Sequence, residues 1–156
     1  MSYEGRTGEA SGVYVEEGPP ELTGPTGTLR FVAPGSVTRR QFGLFRRDIT
    51  PQGGGADPHF HRTFSESFYV LSGTVRLYDG KRWVDATAGD FLYVPKGGIH
   101  GFSNDADEPA SILILFAPGF ARERYFSALD EMRRSGVQLS DEERTAFLAS
   151  HDQYMV

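Results

Sequence analysis

The run SFYVLSGTVRLYDGKRWV, residues 67–84, decides the fold class. It contains three short segments that are rich in aromatic and β-branched residues, and each pair of segments is separated by a glycine-containing dipeptide. Such segments favour β-strands. The dipeptide Asp79-Gly80 predicts a two-residue hairpin turn, because both of its positions favour positive φ. The sequence therefore predicts antiparallel strands here, joined by turns at Ser72-Gly73 and at Asp79-Gly80.

Segments of the same kind continue on both sides of this run. The chain has 19 glycines and 9 prolines in 156 residues, which favours many turns and disfavours a helical bundle. Further strands are predicted over residues 28–32, 41–49, 91–94, 99–103 and 111–116. Short strands that recur regularly, with turn signals between them, predict an all-β antiparallel sandwich or barrel.

The two ends of the chain have a different character. Residues 1–27 are rich in glycine and proline and predict an extended arm, in which residues 12–15 contribute one short strand. Residues 118–156 predict a tail of two amphipathic helices, because apolar residues recur at helical spacing and Ser140 with Glu143 forms a capping box. We expect an arm (1–27), a barrel (28–117) and a tail (118–156). The tail is expected to cover the outside of the barrel or its mouth through its apolar face, which consists of Tyr125, Phe126, Leu129 and Met132.

Composition excludes several classes of protein. The chain has no cysteine, which excludes disulfides, thiolate metal sites and cysteine nucleophiles. The net charge is −5, which argues against a nucleic-acid partner. The longest apolar run, residues 112–117, is far shorter than the ~20 residues that span a bilayer, and the first five residues lack the features of a signal peptide. We therefore expect a cytoplasmic protein with neither a nucleic-acid nor a membrane partner.

Three of the four histidines are candidates for a metal site. His59 and His61 are two residues apart, so both point to the same face of a strand, either to bind one metal ion or to serve as half-buried hydrogen-bonding groups. His100 follows a turn that begins at Pro95. His151, in the tail, is predicted to lie at the surface.

Glu66 is the candidate carboxylate. It comes five residues after His61, so a turn or bulge over residues 62–65 is needed to bring it to the same face. A solvated glutamate is the alternative, but this one opens an apolar strand, where an unpaired charge is costly. Three imidazoles and one carboxylate would suit Fe, Mn, Ni, Co, Cu or Zn.

Two spaced motifs give a specific resemblance. They are Gly53-x5-His59-x-His61-x4-Glu66-x6-Gly73 and Gly89-x5-Pro95-x-Gly97-x2-His100-x3-Asn104. They resemble the two motifs of the cupin superfamily, over about residues 40–116. The flanks resemble the single-domain cupin 2 group, with its quercetin-dioxygenase-like and polyketide-pathway members. The resemblance implies an antiparallel jelly-roll barrel, also called a double-stranded β-helix, and one divalent transition metal per chain bound by His59, His61, Glu66 and His100.

The resemblance also implies a function. We expect a metal-dependent enzyme acting on an aromatic or polyketide-like small molecule, in the first place an oxygenase, with Glu66 as the catalytic base. Phe68 and Phe102 are predicted pocket walls, because each lies two residues beyond a proposed ligand. Tyr93 is a third pocket residue and an alternative base.

Two other functions and a partner are also considered. A redox-silent cyclase or isomerase using Zn or another divalent ion and a non-catalytic small-molecule binding or sensing module are the alternatives to an oxygenase. A homodimer is expected, because the arm and the strand at residues 28–32 offer unpaired edges and small cupins usually dimerise through such strands.

Overall fold

Two antiparallel β-sheets that share one core form the body of the computed structural model, which describes residues 2–156. These residues form eleven strands and two helices, which are β1 (Leu22–Gly24), β2 (Gly27–Ala33), β3 (Gly43–Ile49), β4 (Gly54–Phe60), β5 (Ser65–Ser72), β6 (Thr74–Tyr78), β7 (Trp83–Thr87), β8 (Phe91–Val94), β9 (His100–Asn104), β10 (Ala110–Ala117), α1 (Arg122–Ser135), α2 (Asp141–Ser150) and β11 (Tyr154–Met155).

The strands alternate between the two sheets along much of the chain. The first sheet has the spatial order β1-β2-β3-β10-β5-β8, and the second has the order β11-β4-β9-β6-β7. Thus β3 and β5 lie in the first sheet, whereas β4 and β6 lie in the second. The predicted all-β jelly-roll fold, with a helical C-terminal region, is confirmed.

Strand β10 illustrates why these residues form a two-sheet core. Its residues alternate in burial, and Ile112, Ile114 and Phe116 point inward while the strand pairs with β3 on one side and β5 on the other. The ring of Phe116 contacts Phe45 of β3 edge-on, with centroids 5.6 Å apart. Full burial of a large apolar side chain contributes roughly 1.5–3 kcal/mol. This inward row therefore fixes the strand register that also positions Glu66, the partner of Phe116 on β5.

The two tail helices have the limits that their sequence signals suggest. Helix α1 ends at Gly136, which adopts the left-handed conformation with φ of 70°. Helix α2 begins after Ser140, and the predicted capping box with Glu143 is present. Phe126 of α1 packs against Phe45 of the barrel, with ring centroids 5.3 Å apart. Within residues 2–156, no helix combines the length and the apolar character that crossing a lipid bilayer requires.

The sheets extend beyond the predicted barrel range of 28–117 at both ends. The predicted strand over residues 12–15 is wrong: this part of the arm has no regular structure and is exposed. The arm instead contributes β1, which pairs with β2. At the other end, β11 pairs with β4. Both additions are very short strands that exist because a barrel strand offers them an edge.

The β6–β7 connection differs from the predicted two-residue hairpin turn. The loop has four residues, 79–82, and Tyr78 pairs with Trp83. The Asp79 carboxylate accepts hydrogen bonds from the backbone N–H groups of Lys81 at 2.8 Å and Arg82 at 2.9 Å. Of the two central residues, only Gly80 adopts a positive φ, 91°. The aspartate side chain satisfies these donors, which stabilises the wider turn.

Candidate metal centre

Four side chains from three parts of the barrel converge on one point. His59 lies near the end of β4, His61 directly after it, Glu66 near the start of β5, and His100 at the start of β9. One nitrogen or oxygen atom from each lies within 4.8 Å of the others, and all four residues are buried. The bend after His61 returns the chain so that Glu66 faces the histidines. The structure thus brings together all four residues that the sequence proposed as ligands.

Each imidazole is oriented by a backbone carbonyl. The contacts are from Nδ1 of His59 to Asp57 O at 2.7 Å, from Nδ1 of His61 to Asp152 O at 2.6 Å, and from Nδ1 of His100 to Gly98 O at 3.0 Å. A carbonyl oxygen only accepts, so in each ring Nδ1 carries the proton and donates it. The neutral ring then has its lone pair on Nε2, which is the arrangement that orients histidines toward a metal ion.

Glu66 lies between two of these rings. Its Oε2 atom is 2.9 Å from Nε2 of His61 and 2.8 Å from Nε2 of His100. Because Nδ1 already holds the proton of each neutral ring, each of these short contacts needs a further proton or a cation between the nitrogen and the oxygen. A divalent cation shared by the four side chains would meet this need at both contacts. Three imidazole nitrogens and a carboxylate are a donor set that first-row divalent ions accept, so the residues fit a metal.

Burial and mutual contacts set the charges of the cluster. Burial, followed by repulsion from His100, lowers the pKa of His59 to about 4. Burial alone would raise the pKa of Glu66, but hydrogen bonds from His100 and His61 outweigh it and hold that pKa well below its usual range. Burial alone would lower the pKa of His100, but the hydrogen bond and the charge of Glu66 raise it above the ordinary value. At neutral pH the cluster therefore holds a neutral His59 and an ionised Glu66.

The tail residue Asp152 supports the loop that carries His61. Its carbonyl accepts from the His61 ring, and its carboxylate accepts from the backbone N–H of Arg62 at 3.1 Å and from the backbone N–H and hydroxyl of Thr63 at 2.8 and 2.6 Å. The backbone N–H of Gly97, a residue at φ of 78°, donates to the carbonyl of His61 at 2.6 Å. Sequence analysis missed Asp152, because nothing local links it to a loop ninety residues earlier.

Asn104 and His151 lie outside the cluster. The Asn104 amide is buried, donates to the carbonyls of Thr50 and Glu108 at 3.0 and 2.9 Å, and accepts from the N–H of Ala106 at 3.1 Å. It therefore holds turns together. His151, which was predicted to lie at the surface, is half-buried, because its ring centroid lies 4.9 Å from that of Phe147 of α2 and 5.4 Å from that of Tyr125 of α1.

A cavity of about 780 Å³ lies beside the cluster. His59 and Glu66 contribute to its wall, together with Phe102 from the barrel interior and Tyr125 and Phe126 from α1. Leu129 and Met132 also line it, so the apolar face of the tail forms part of the cavity wall. A volume of this size lies within the range of roughly 300–1,000 Å³ that is typical of small-molecule sites.

The three predicted pocket residues have different positions. Phe102 lines the cavity. Phe68 is fully buried and packs against His100 and Phe102, with ring centroids 5.8 and 5.7 Å away. The placement of Tyr93 in the pocket is wrong, because its side chain is 59% exposed. Val94, not Tyr93, is the register partner of Glu66 and points inward, so strand parity turns Tyr93 outward, where it cannot act as a base at the cluster.

Arg122 is a cavity-lining residue that sequence analysis missed. It is the first residue of α1, and it is buried. Charged residues of an amphipathic helix are normally assigned to its exposed face. The signal lies in the spacing: Arg122 is three and four residues before Tyr125 and Phe126, so it shares their apolar face.

Comparison with known proteins agrees with this geometry. The family model of the cupin domain matches residues 45–116, a stretch that carries all four clustered side chains. This stretch of the chain is a cupin domain. Over 81 residues, 52% of this chain, it is 30% identical to the quercetin 2,3-dioxygenase of Bacillus subtilis. The match spans only 23% of that relative's length.

Solved structures resemble the cupin fold more widely. KdgF from Halomonas sp. superposes with a TM-score of 0.61 at 17% identity, covering 73% of this chain and 98% of that one. The polyketide cyclase RemF from Streptomyces resistomycificus superposes with a TM-score of 0.52 at 24% identity, covering 62% and 68%. At such identities the two structures support the fold alone.

Proposed function

We propose that this cupin is a metal-dependent enzyme that oxygenates an aromatic or polyketide-like small molecule. The observation that carries the proposal is the position of Glu66, whose carboxylate lies between two histidine Nε2 atoms and also borders the cavity. A carboxylate in this position can both bind a cation and receive a proton from a molecule in the cavity.

The cavity lining supports a flat, largely apolar substrate. The aromatic rings of Phe102, Tyr125 and Phe126 border it, and aliphatic side chains such as Leu29 and Ile114 complete the walls. Aromatic side chains favour stacked or edge-on contact with other rings. A hydroxylated aromatic or polyketide-like molecule therefore suits the aromatic and aliphatic part of this lining.

His59, His61, Glu66 and His100 would hold one divalent ion. When bound, the ion would supply a Lewis acid or redox centre for an oxygen atom of the substrate. Glu66 is ionised, so it is able to accept a proton from a substrate hydroxyl group. Its low pKa makes it a weak base, and this transfer therefore favours a phenolic or enolic hydroxyl over an ordinary alcohol. Helix α1 forms part of the cavity wall beside the carboxylate.

Oxygenation is compatible with the donor set and is favoured by the similarity to a dioxygenase. Three histidines and a glutamate accept the redox-active ions of iron, manganese, nickel and copper as well as zinc. The 30% identity to a quercetin 2,3-dioxygenase supports the same choice.

The test is turnover by metal-reconstituted protein in air and under argon. Metal-free protein is loaded separately with Fe(II), Mn(II), Co(II), Ni(II), Cu(II) or Zn(II) and incubated with flavonols and polycyclic phenols, and oxygen uptake and product mass are measured. We expect oxygen uptake that matches substrate loss with a redox-active ion, and none with Zn(II) or with His61→Ala. Turnover under argon with Zn(II) would instead indicate a cyclase or isomerase. A ligand that binds and is released unchanged would indicate a binding module.

A further inference from the structure

The charge of Arg122 is buried without an anionic partner. The residue is only 4% exposed. Its guanidinium donates to two neutral oxygens, the backbone carbonyl of His151 at 3.0 Å and Oε1 of Gln153 at 3.2 Å. Its buried Nε has no hydrogen-bond partner. Among the ion pairs formed by residues 2–156, none involves Arg122.

Four aromatic rings also surround the guanidinium. The guanidinium carbon lies 4.1 Å from the ring centroid of Tyr125, 5.0 Å from that of Phe116, and 5.3 and 5.5 Å from those of Phe64 and Phe126. Cation–π contacts of this kind offset only part of the cost of removing a charge from water. Burial accordingly lowers the pKa of Arg122, and the charge of Glu66 is the largest opposing influence. A guanidinium nevertheless stays protonated in proteins.

The same residue borders the cavity that Glu66 and His59 border. Glu66 carries the only negative charge of the cluster, so a divalent ion bound there would give the cluster a net charge of +1. Arg122 adds a further positive charge. The cavity would then hold two buried positive charges in excess, a strong preference for a negatively charged occupant.

We propose that Arg122 is the anion-binding residue of this cavity, and that the molecule it receives carries a carboxylate. The unpartnered Nε–H and the free N–H groups of the guanidinium can donate to two carboxylate oxygens at once, the geometry in which arginine binds carboxylates best. That this acid is the substrate rests on the proposed function. The anion site itself takes its hydrogen-bond donors from Arg122 alone, and a bound divalent ion would add to its positive charge.

A purely structural role makes a different prediction. Through His151 and Gln153, Arg122 ties α1 to the segment that follows α2. A brace of this kind would affect stability, but it would not distinguish an acid from a neutral molecule of the same shape. Selectivity for the anion is therefore the decisive measurement.

The experiment measures the binding of 2-naphthoate and of 2-naphthamide by isothermal titration calorimetry. Wild type should bind the acid at least roughly tenfold more tightly than the amide, the scale of one hydrogen-bonded charged pair. Arg122→Met should lose this preference while still binding the amide, and Arg122→Lys should retain part of it. Arg134→Met, on an exposed position of the same helix, is the control and should behave like wild type. Circular dichroism checks that each variant is folded.

Three results would overturn the proposal. They are equal affinity of wild type for acid and amide, no saturable binding of the acid, or a preference that persists in folded Arg122→Met. The wild-type comparison stands even if Arg122→Met does not fold. Repeating the titrations with metal-free His61→Ala separates the two proposals. If metal-free His61→Ala still prefers the acid, the anion site is supported even if metal-dependent turnover is never found. If His61→Ala loses the preference for the acid and Arg122→Met keeps it, the anion binds at the metal instead.

Discussion

Acidification of the metal-free protein tests whether His59 is buried as a neutral imidazole. The residue is 4% exposed, and burial followed by repulsion from His100 lowers its pKa from 6.5 to about 4. In the unfolded chain the same ring has the ordinary histidine pKa of 6.5. The unfolded state therefore binds more protons between these pKa values, and the free energy of unfolding falls as the pH drops from 6.5 toward 4.

The size of the effect follows from the two pKa values. At about 1.36 kcal/mol per pKa unit, the difference between the two pKa values lowers the unfolding free energy by about 3 kcal/mol once the pH is well below 4. At pH 5 about 2 kcal/mol of this loss has occurred. His100 acts in the opposite direction. Its raised pKa stabilises the fold below 6.5, and that stabilisation is lost as the pH rises through the folded-state pKa. Glu66 contributes only at lower pH, because its stabilisation is lost as the pH falls below the ordinary glutamate range.

The assay compares wild type with His59→Asn, whose amide can still donate to the carbonyl of Asp57. Urea unfolding of both EDTA-treated proteins is followed by circular dichroism at pH 7, 6 and 5. Between pH 7 and 5, wild type should lose about 2 kcal/mol more of its unfolding free energy than the variant does. His151→Asn is the control and should differ less, because that ring is only half-buried. Equal losses in wild type and His59→Asn would refute the reasoning.

Three further predictions concern the cluster, the core and the assembly. Glu66→Gln should keep much of its metal but lose roughly 10²-fold in turnover rate, the usual scale for a positioned base, whereas His61→Ala should lose metal and turnover together. Metal content and turnover rate are measured on the same preparations, and a near-normal rate for fully loaded Glu66→Gln would show that Glu66 is not the base. Phe116→Ala should lower the unfolding free energy by about 3–5 kcal/mol in urea titrations, and the exposed control Phe91→Ala should change it little; similar losses would contradict the core assignment. A homodimer stays a prediction, now through the outer strand Leu22–Gly24 of the first sheet, and light scattering that gives a monomer mass would contradict it.

The fold was predictable from the sequence because its signals are local. Strand segments such as residues 67–71 carry their own β preference, and glycines such as Gly73 mark the turns between them. The strands β1 and β11 escaped prediction because they have only three and two residues and depend on the edges of β2 and β4. The Asp79 turn was mispredicted because its side chain competes for the backbone donors.

The four clustered side chains were predictable because motif spacing and strand parity indicate them. The side chains of His59 and His61 meet because residues two apart share a strand face. Tyr93 was misplaced because β8 has apolar residues at every position, so the sequence does not indicate which face is buried. Helical spacing places Arg122 on the apolar face of α1, but no local pattern indicates what that face contacts. Asp152 reaches the site only because the tail folds back over the barrel, which is also a long-range contact.

The central claim is that four side chains hold one divalent ion, and anomalous diffraction tests it most directly. Crystals of protein reconstituted with a single metal are measured at the absorption edge of that metal. The account predicts one peak per chain, at ligand distances of about 2.0–2.2 Å from the nitrogens of His59, His61 and His100 and an oxygen of Glu66. A peak elsewhere, or none in well-folded protein loaded with metal, would contradict it.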